Sequence, residues 1–150
     1  HKIAYPGSDM EGSTDGPGLI RAITGTDPVA GAEILVTVPT GVKWRLYSMK
    51  YTLADDNTDI QRLSIIVVDD GANAFLKVAA VDTQGLSQTF EYSLMHAGMP
   101  PSLVPDLYTI PFTGPIDLAA GYRIRTETFN LQALDNYSTP ILHVEEWIQP

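Results

Sequence analysis

Val38-Pro-Thr-Gly-Val-Lys-Trp-Arg-Leu46 and Leu118-Ala-Ala-Gly-Tyr-Arg-Ile-Arg125 share one grammar: an apolar residue, a glycine turn, then a run in which cations alternate with aromatic or aliphatic side chains. Alternation with a period of two separates the apolar set from the charges and marks a half-buried β-strand. The repetition predicts an all-β sandwich in which two strands play matching roles.

Working outward, further runs bounded by turn formers read as strands: Leu19 to Thr24, Glu33 to Val38, Trp44 to Leu53, Arg62 to Val68, Ala74 to Val81, Ser87 to Leu94, Tyr108 to Phe112, Tyr122 to Leu131 and Ile141 to Ile148. No amphipathic helix intervenes, so the expected fold is an antiparallel β-sandwich, jelly-roll-like, of eight or nine strands. Ile34, Val36 and Val38 share one phase and should point inward, as should Phe90, Tyr92 and Leu94, and Leu142, Val144 and Ile148. Tyr122 and Ile124 lie on the opposite phase from Phe129 and Leu131, which predicts a bulge or bend near Thr126.

Asp69-Asp70-Gly71-Ala72-Asn73 predicts a tight hairpin with Gly71 at positive φ. Met95 to Asp106, with Pro100, Pro101 and Pro105, is the longest expected loop; it should cross between sheets or cap one end. Residues 1–18 are Gly-, Ser-, Asp- and Pro-rich and read as an extended arm, either loose or ordered along a neighbouring subunit. Residues 19–150 form the single sandwich domain.

At 150 residues the chain is long enough to bury a core without staples, and with no cysteine it has none. That lack removes thiol catalysis and zinc–thiolate sites and leaves the redox compartment open. Eighteen acidic against nine basic residues give a net charge of −9, which repels a phosphate backbone and argues against nucleic acid as a partner. The longest apolar run, Leu63 to Val68, is too short for a bilayer, and no cationic start with an apolar segment precedes it, so a soluble protein is expected.

Catalytic and metal motifs are incomplete. Asp55, Asn57 and Asp59 have the spacing that opens a calcium loop, but Ile60 stands where the turn glycine belongs and no closing glutamate follows. Glu145 and Glu146 beside Trp147 suggest a glycosidase pair, yet consecutive strand residues face opposite ways. One of them should be solvated and the other paired at the rim with Arg123 or Arg125. His1, His96 and His143 are scattered without ligand spacing or a nucleophile elbow, and the arm's glycines precede no helix that could hold a phosphate. The expectation is a protein that is not an enzyme and needs no metal or cofactor.

Lys43, Arg45, Lys50, Arg123 and Arg125 hold more than half of the nine cations and sit on the two echoing strands. If those strands meet, they form a basic patch on an acidic molecule, suited to docking; otherwise they pair with Glu33, Glu91, Glu127 and the aspartates. Trp44, Tyr47, Tyr51, Tyr137 and Trp147 are the aromatics able to anchor an interface or stack on sugars, although most should be core or rim. The candidate interface set is Lys43, Arg45, Lys50, Arg123, Arg125, Tyr137 and Trp147.

Val38-Pro-Thr-Gly41, Trp44-Arg-Leu46, Leu118 to Arg125, Asn130-Leu-Gln132 and Val144-Glu-Glu-Trp147 together resemble small β-sandwich virion proteins of tailed bacteriophages, with the capsid decoration or cement proteins nearest. The resemblance covers residues 30 to 150 and leaves the arm aside. It implies a jelly-roll-like homotrimer on the outer capsid surface that bridges major capsid protein subunits, with no active site. A glycine turn before an Arg-x-Arg strand also occurs in phage tail and fibre modules, so a carbohydrate- or receptor-binding module is the alternative. A hydrolase would need Glu145 or Glu146 to share a cleft with a second carboxylate.

Overall fold

The computed structural model describes residues 2–4, 11–96, 106–112 and 114–150, and no helix occurs among them. The strands are β1 (Lys2–Ala4), β2 (Glu11–Ser13), β3 (Leu19–Thr24), β4 (Leu35–Thr37), β5 (Val42–Ala54), β6 (Leu63–Asp69), β7 (Ala74–Ala79), β8 (Thr89–His96), β9 (Leu107–Phe112), β10 (Ile116–Leu118), β11 (Arg123–Phe129), β12 (Asn136–Tyr137) and β13 (Ile141–Ile148). A seven-stranded sheet, ordered β3-β13-β5-β8-β9 with β10 and β12 also on β5, packs against a four-stranded sheet ordered β4-β11-β6-β7. The fold is an all-β sandwich. β10 and β12 are the strands of these sheets that the sequence pattern misses; three and two residues long, they are too short to show a period.

The two quoted stretches are the corners of this sandwich. The first leaves the four-stranded sheet at β4, turns through Gly41 at φ +87° and enters the seven-stranded sheet as β5. The second does the reverse: β10 pairs with β5, the chain turns through Gly121 at φ +84°, and β11 pairs with β4. Glycine takes that left-handed backbone without a Cβ penalty. Val38 N donates to Tyr122 O at 2.8 Å and Gly121 N to Val38 O at 2.9 Å, so the corners are bonded to each other. Their roles match, as expected, but β5 and β11 lie in different sheets.

Alternation builds the core. Ile34, Val36 and Val38 are buried while Leu35 is half exposed, and Phe90, Tyr92 and Leu94 point inward from β8. They meet Leu46, Met49, Leu53, Ile66, Val68, Ile110, Ile124, Leu142 and Val144 in one cluster. Each such side chain contributes about 1.5–3 kcal/mol on burial, so Leu46→Ala should cost about 2–5 kcal/mol, the cavity included.

Two expectations need correction. β11 runs in unbroken register with β6 through Thr126; the phase conflict is resolved by leaving Phe129 outside, 60 % exposed. The register shifts lie instead at His143/Val144, between β13 and β5, and at Val68/Asp69. The first of these places an extra residue in β5, whose inward set switches from Trp44 and Leu46 to Met49, Tyr51 and Leu53; β13 keeps its phase, with Ile148 half-buried on the inward side and Trp147 buried on the other. β8 and β9 are parallel neighbours, so the connection between them starts and ends in one sheet; residues 97–105 themselves lie outside the described residues.

In the arm, Lys2–Ala4 pairs antiparallel with Glu11–Ser13. The predicted hairpin is present: Gly71 has φ +99°, its N–H donates to Asp69 Oδ1, and Asp70 Oδ1 accepts from Ala72 and Asn73.

Candidate functional site

β5 and β13 lie side by side with Trp147 opposite Lys43 and Glu145 opposite Arg45. Residues facing each other across an antiparallel pair share a face, so the register gathers these four on the outer surface of the seven-stranded sheet. Lys43 Nζ stands 4.7 Å and Arg45 Cζ 5.2 Å from the Trp147 ring centroid, within cation–π range. Arg45 is held by Asp117 on β10 at 2.7 Å, which keeps its guanidinium even more firmly protonated than usual.

The end of the arm is clamped onto this cluster. Trp147 Nε1 donates to Gly16 O at 2.7 Å, and Gly18 N donates to Glu145 Oε2 at 2.7 Å. A Cβ on Gly18 would lie 2.7 Å from Glu145 Cγ, 2.8 Å from Glu146 O and 3.0 Å from Trp147 Cε2, so only glycine permits the approach. Trp147 is therefore 6 % exposed although it stands outside the central core cluster. Tyr47 OH donates to Glu145 Oε1 at 2.6 Å; that bond, with the Gly18 N–H, holds the Glu145 carboxyl below its usual range and raises the Tyr47 phenol. The exposed His143 ring stands 5.6 Å from the ring of Tyr47.

Of the candidate interface residues, Lys43, Arg45 and Trp147 converge here. The others do not. Lys50 pairs with Glu91 at 2.7 Å further along β5. Arg123 and Arg125 stand on the opposite sheet, both bonded to the buried Asp69, so no single basic patch unites the five cations. Tyr137 is fully buried, and Trp44 and Tyr51 are 2 % exposed; none of them offers a ring face to a sugar or a partner.

Glu145 and Glu146 face opposite sides of the sheet, as strand geometry requires. Glu146 accepts from Arg21 Nη1 at 2.9 Å and Trp44 Nε1 at 2.8 Å, in place of the expected Arg123 or Arg125. This pair floors a cleft of about 340 Å³ between the sheets, lined from β3 by Arg21 and Ile23 and from β4 by Leu35 and Val36.

A further ionisable cluster is built around Arg62. Arg62 is fully buried and spends its guanidinium on Asp135, Asp56 and the carbonyls of Thr58 and Ile60, so Asp56 of the calcium-like stretch serves an arginine. Among the described residues no three histidine, aspartate or glutamate side chains come together as a metal site would require. Sequence reasoning found the cations and the tryptophan, named Tyr47 only among the aromatics able to anchor an interface, and missed Gly16, Gly18 and Asp117. The glycine spacing before β3 was the available signal for the strap; the pairing that sets Asp117 beside Arg45 had none. No protein-family model, curated protein or solved structure matches the chain.

Proposed function

We propose that this chain is a structural virion protein, a decoration or cement protein that binds the outside of a tailed-bacteriophage head and holds neighbouring major capsid protein subunits together. The observation that carries the reading is the clamp of the arm onto Lys43, Arg45, Glu145 and Trp147: the sequence invests glycine, tryptophan and paired charges in fixing a strap across an outer sheet face. Both Glu145 oxygens accept hydrogen bonds and Arg45 is paired with Asp117, so these charges are spent on holding the strap and the sheet face. The action is adhesion, with no bond made or broken, and stabilisation follows by mass action when the protein binds the assembled shell. Repeated presentation over a lattice lets individually weak contacts add.

The test is addition of the purified chain to heads of the parent phage stripped of their decoration, followed by electron microscopy and heat challenge. Added density on the outer surface and greater heat resistance are expected, both reduced by Trp147→Ala. A chain that neither binds nor protects such heads overturns the reading. Binding to a simple saccharide on a glycan array would favour the tail-module alternative.

A further inference from the structure

The two sheet orders end in four strands, β3, β9, β4 and β7, and three of these are guarded. β7 carries Lys77, its side chain 55 % exposed. β9 carries Pro111, which has no N–H to offer, and Tyr108 OH ties the same strand to Thr83 O at 2.9 Å. β4 is three residues long and runs into Pro39. Short strands, exposed lysine and proline are the devices that keep sheet edges from pairing.

β3 has none of them. Leu19-Ile-Arg-Ala-Ile-Thr24 is regular, with Ile20, Ile23 and Thr24 β-branched, and its one guard, the inward-pointing charge of Arg21, is paired by Glu146 in the cleft. Gly16 and Gly18 are fastened to β13, the strand on the paired side of β3, and β2, which also comes close to β3, forms no ladder with it, so among the described residues the main chain of β3 pairs with β13 alone.

The hydrogen-bonding parity of β3 is fixed by the residue that follows it. Gly25 N donates to Pro140 O at 2.9 Å in the register that also sets Ile23 opposite Leu142 and Arg21 opposite Val144. Alternate residues of an antiparallel strand bond to the same neighbour, so Leu19, Arg21 and Ile23 are spent on β13. The main-chain groups of Ile20, Ala22 and Thr24 point to the open side, and their side chains are exposed.

We propose that β3 is a self-pairing edge: a second copy of this chain docks antiparallel along it, β3 against β3, and joins the two seven-stranded sheets into one. A two-fold contact must set residues of equal parity opposite each other. Charge then selects the register. Centring on Arg21 would face Arg21 with its own copy, whereas centring on Ala22 sets Arg21 against Ile23 of the second copy, Ile20 against Thr24, and the small Ala22 against itself. That register uses every outward group of β3, giving about six main-chain hydrogen bonds. It also brings Ile23 of the second copy to the mouth of the cleft, where Ile23, Leu35 and Val36 supply apolar wall. The contact is independent of the virion reading, and it predicts even-numbered assemblies where the family resemblance implies a trimer.

The experiment is sedimentation of the full chain and its Ala22→Pro variant. Proline at this position removes an N–H that faces outward in the single chain, so the sandwich keeps its fold while the pair loses its central bonds. Wild type is expected at a two-chain mass, with dissociation about thirtyfold easier in A22P from two lost hydrogen bonds. The chain has no cysteine, so Ala22→Cys places a single thiol beside its copy. Mild oxidation should cross-link A22C into covalent dimers and leave Thr37→Cys, on β4, without a cross-link. A wild-type monomer or trimer, a folded A22P that dimerises unchanged, or an A22C that cross-links no better than T37C overturns the proposal. If A22P fails to fold, the oxidation arm decides alone.

Discussion

Arg62 and Asp135 meet at 3.0 Å with both side chains sealed from water, and the same arginine reaches Asp56 at 2.6 Å. All five guanidinium N–H groups are used, two of them on the carbonyls of Thr58 and Ile60. Burial disfavours the charge, but the hydrogen bonds and field of Asp135 more than offset it, and the guanidinium is held above its ordinary value. Asp135 also accepts from the N–H groups of Asp56 and Gln132, so one ion pair fixes two loops.

Removing either partner leaves a stranded charge. Asp135→Ala should lower stability by about 3–5 kcal/mol in urea titrations. Arg62→Met with Asp135→Leu should recover only part of that loss, since the Thr58 and Ile60 carbonyls still lack donors. A loss under about 1 kcal/mol for Asp135→Ala would refute this account.

A second interior chain is built of hydroxyls. Thr128 Oγ1 donates to Glu33 Oε1 at 2.5 Å, which obliges Tyr137 to donate to Thr128, Ser64 to Tyr137, and Tyr51 to Ser64. The carboxylate at one end thus sets the direction of every proton along this chain. Burial pushes the Tyr137 phenol up to about 12, so it remains a donor at neutral pH. Tyr137→Phe breaks the chain at its middle and should cost about 1–3 kcal/mol, whereas Tyr51→Phe removes only the terminal donor and should cost less. Equal losses on chemical denaturation would contradict the assigned direction.

Acid stability should centre on Asp69. Arg123 donates twice and Arg125 once to its buried carboxylate, with Gly71 N–H adding a fourth bond, and its pKa falls far below the ordinary 3.8. A depressed carboxylate contributes stability that is complete above its unfolded value and is lost as pH falls toward the folded one. Wild type should therefore lose stability steeply below about pH 4, and Asp69→Asn should be less stable at neutral pH with a flatter acid limb. Parallel slopes in pH-dependent melting would remove Asp69 from this role.

Gly18→Ala and Gly41→Ala separate contact from conformation. Gly41 needs a left-handed backbone but has nothing within 4 Å of an added Cβ, so alanine there should cost about 1 kcal/mol of strain. Alanine at Gly18 drives into Glu145 and Trp147, and it should detach the arm from β13 while the sandwich persists. Limited proteolysis is the readout: cleavage among residues 14–18 should accelerate in Gly18→Ala and in Trp147→Phe, which loses the bond to Gly16 O, but not in Gly41→Ala.

Local chemistry made much of the fold legible. β3 and β13 begin and end where the residue pattern places them, Gly71 turns its hairpin, and the inward phases of Ile34, Val36, Val38, Phe90, Tyr92 and Leu94 follow from alternation. The site was legible only in its ingredients. Lys43, Arg45 and Trp147 come together because β13 lies antiparallel on β5 in one register, and pairing partners far apart in sequence leave no trace in either strand alone.

Period-two patterning, glycine turns and the absence of helical spacing determined by themselves that this chain is a β-sandwich, because those signals act between residues a few positions apart. The tertiary structure decided that Arg123 and Arg125 serve Asp69 on one sheet while Lys43 and Arg45 cover Trp147 on the other, that Tyr137 is core, and that β3 is left as the bare edge. Each of these depends on which strand neighbours which, a choice made by the closure of the whole core and not by any single segment.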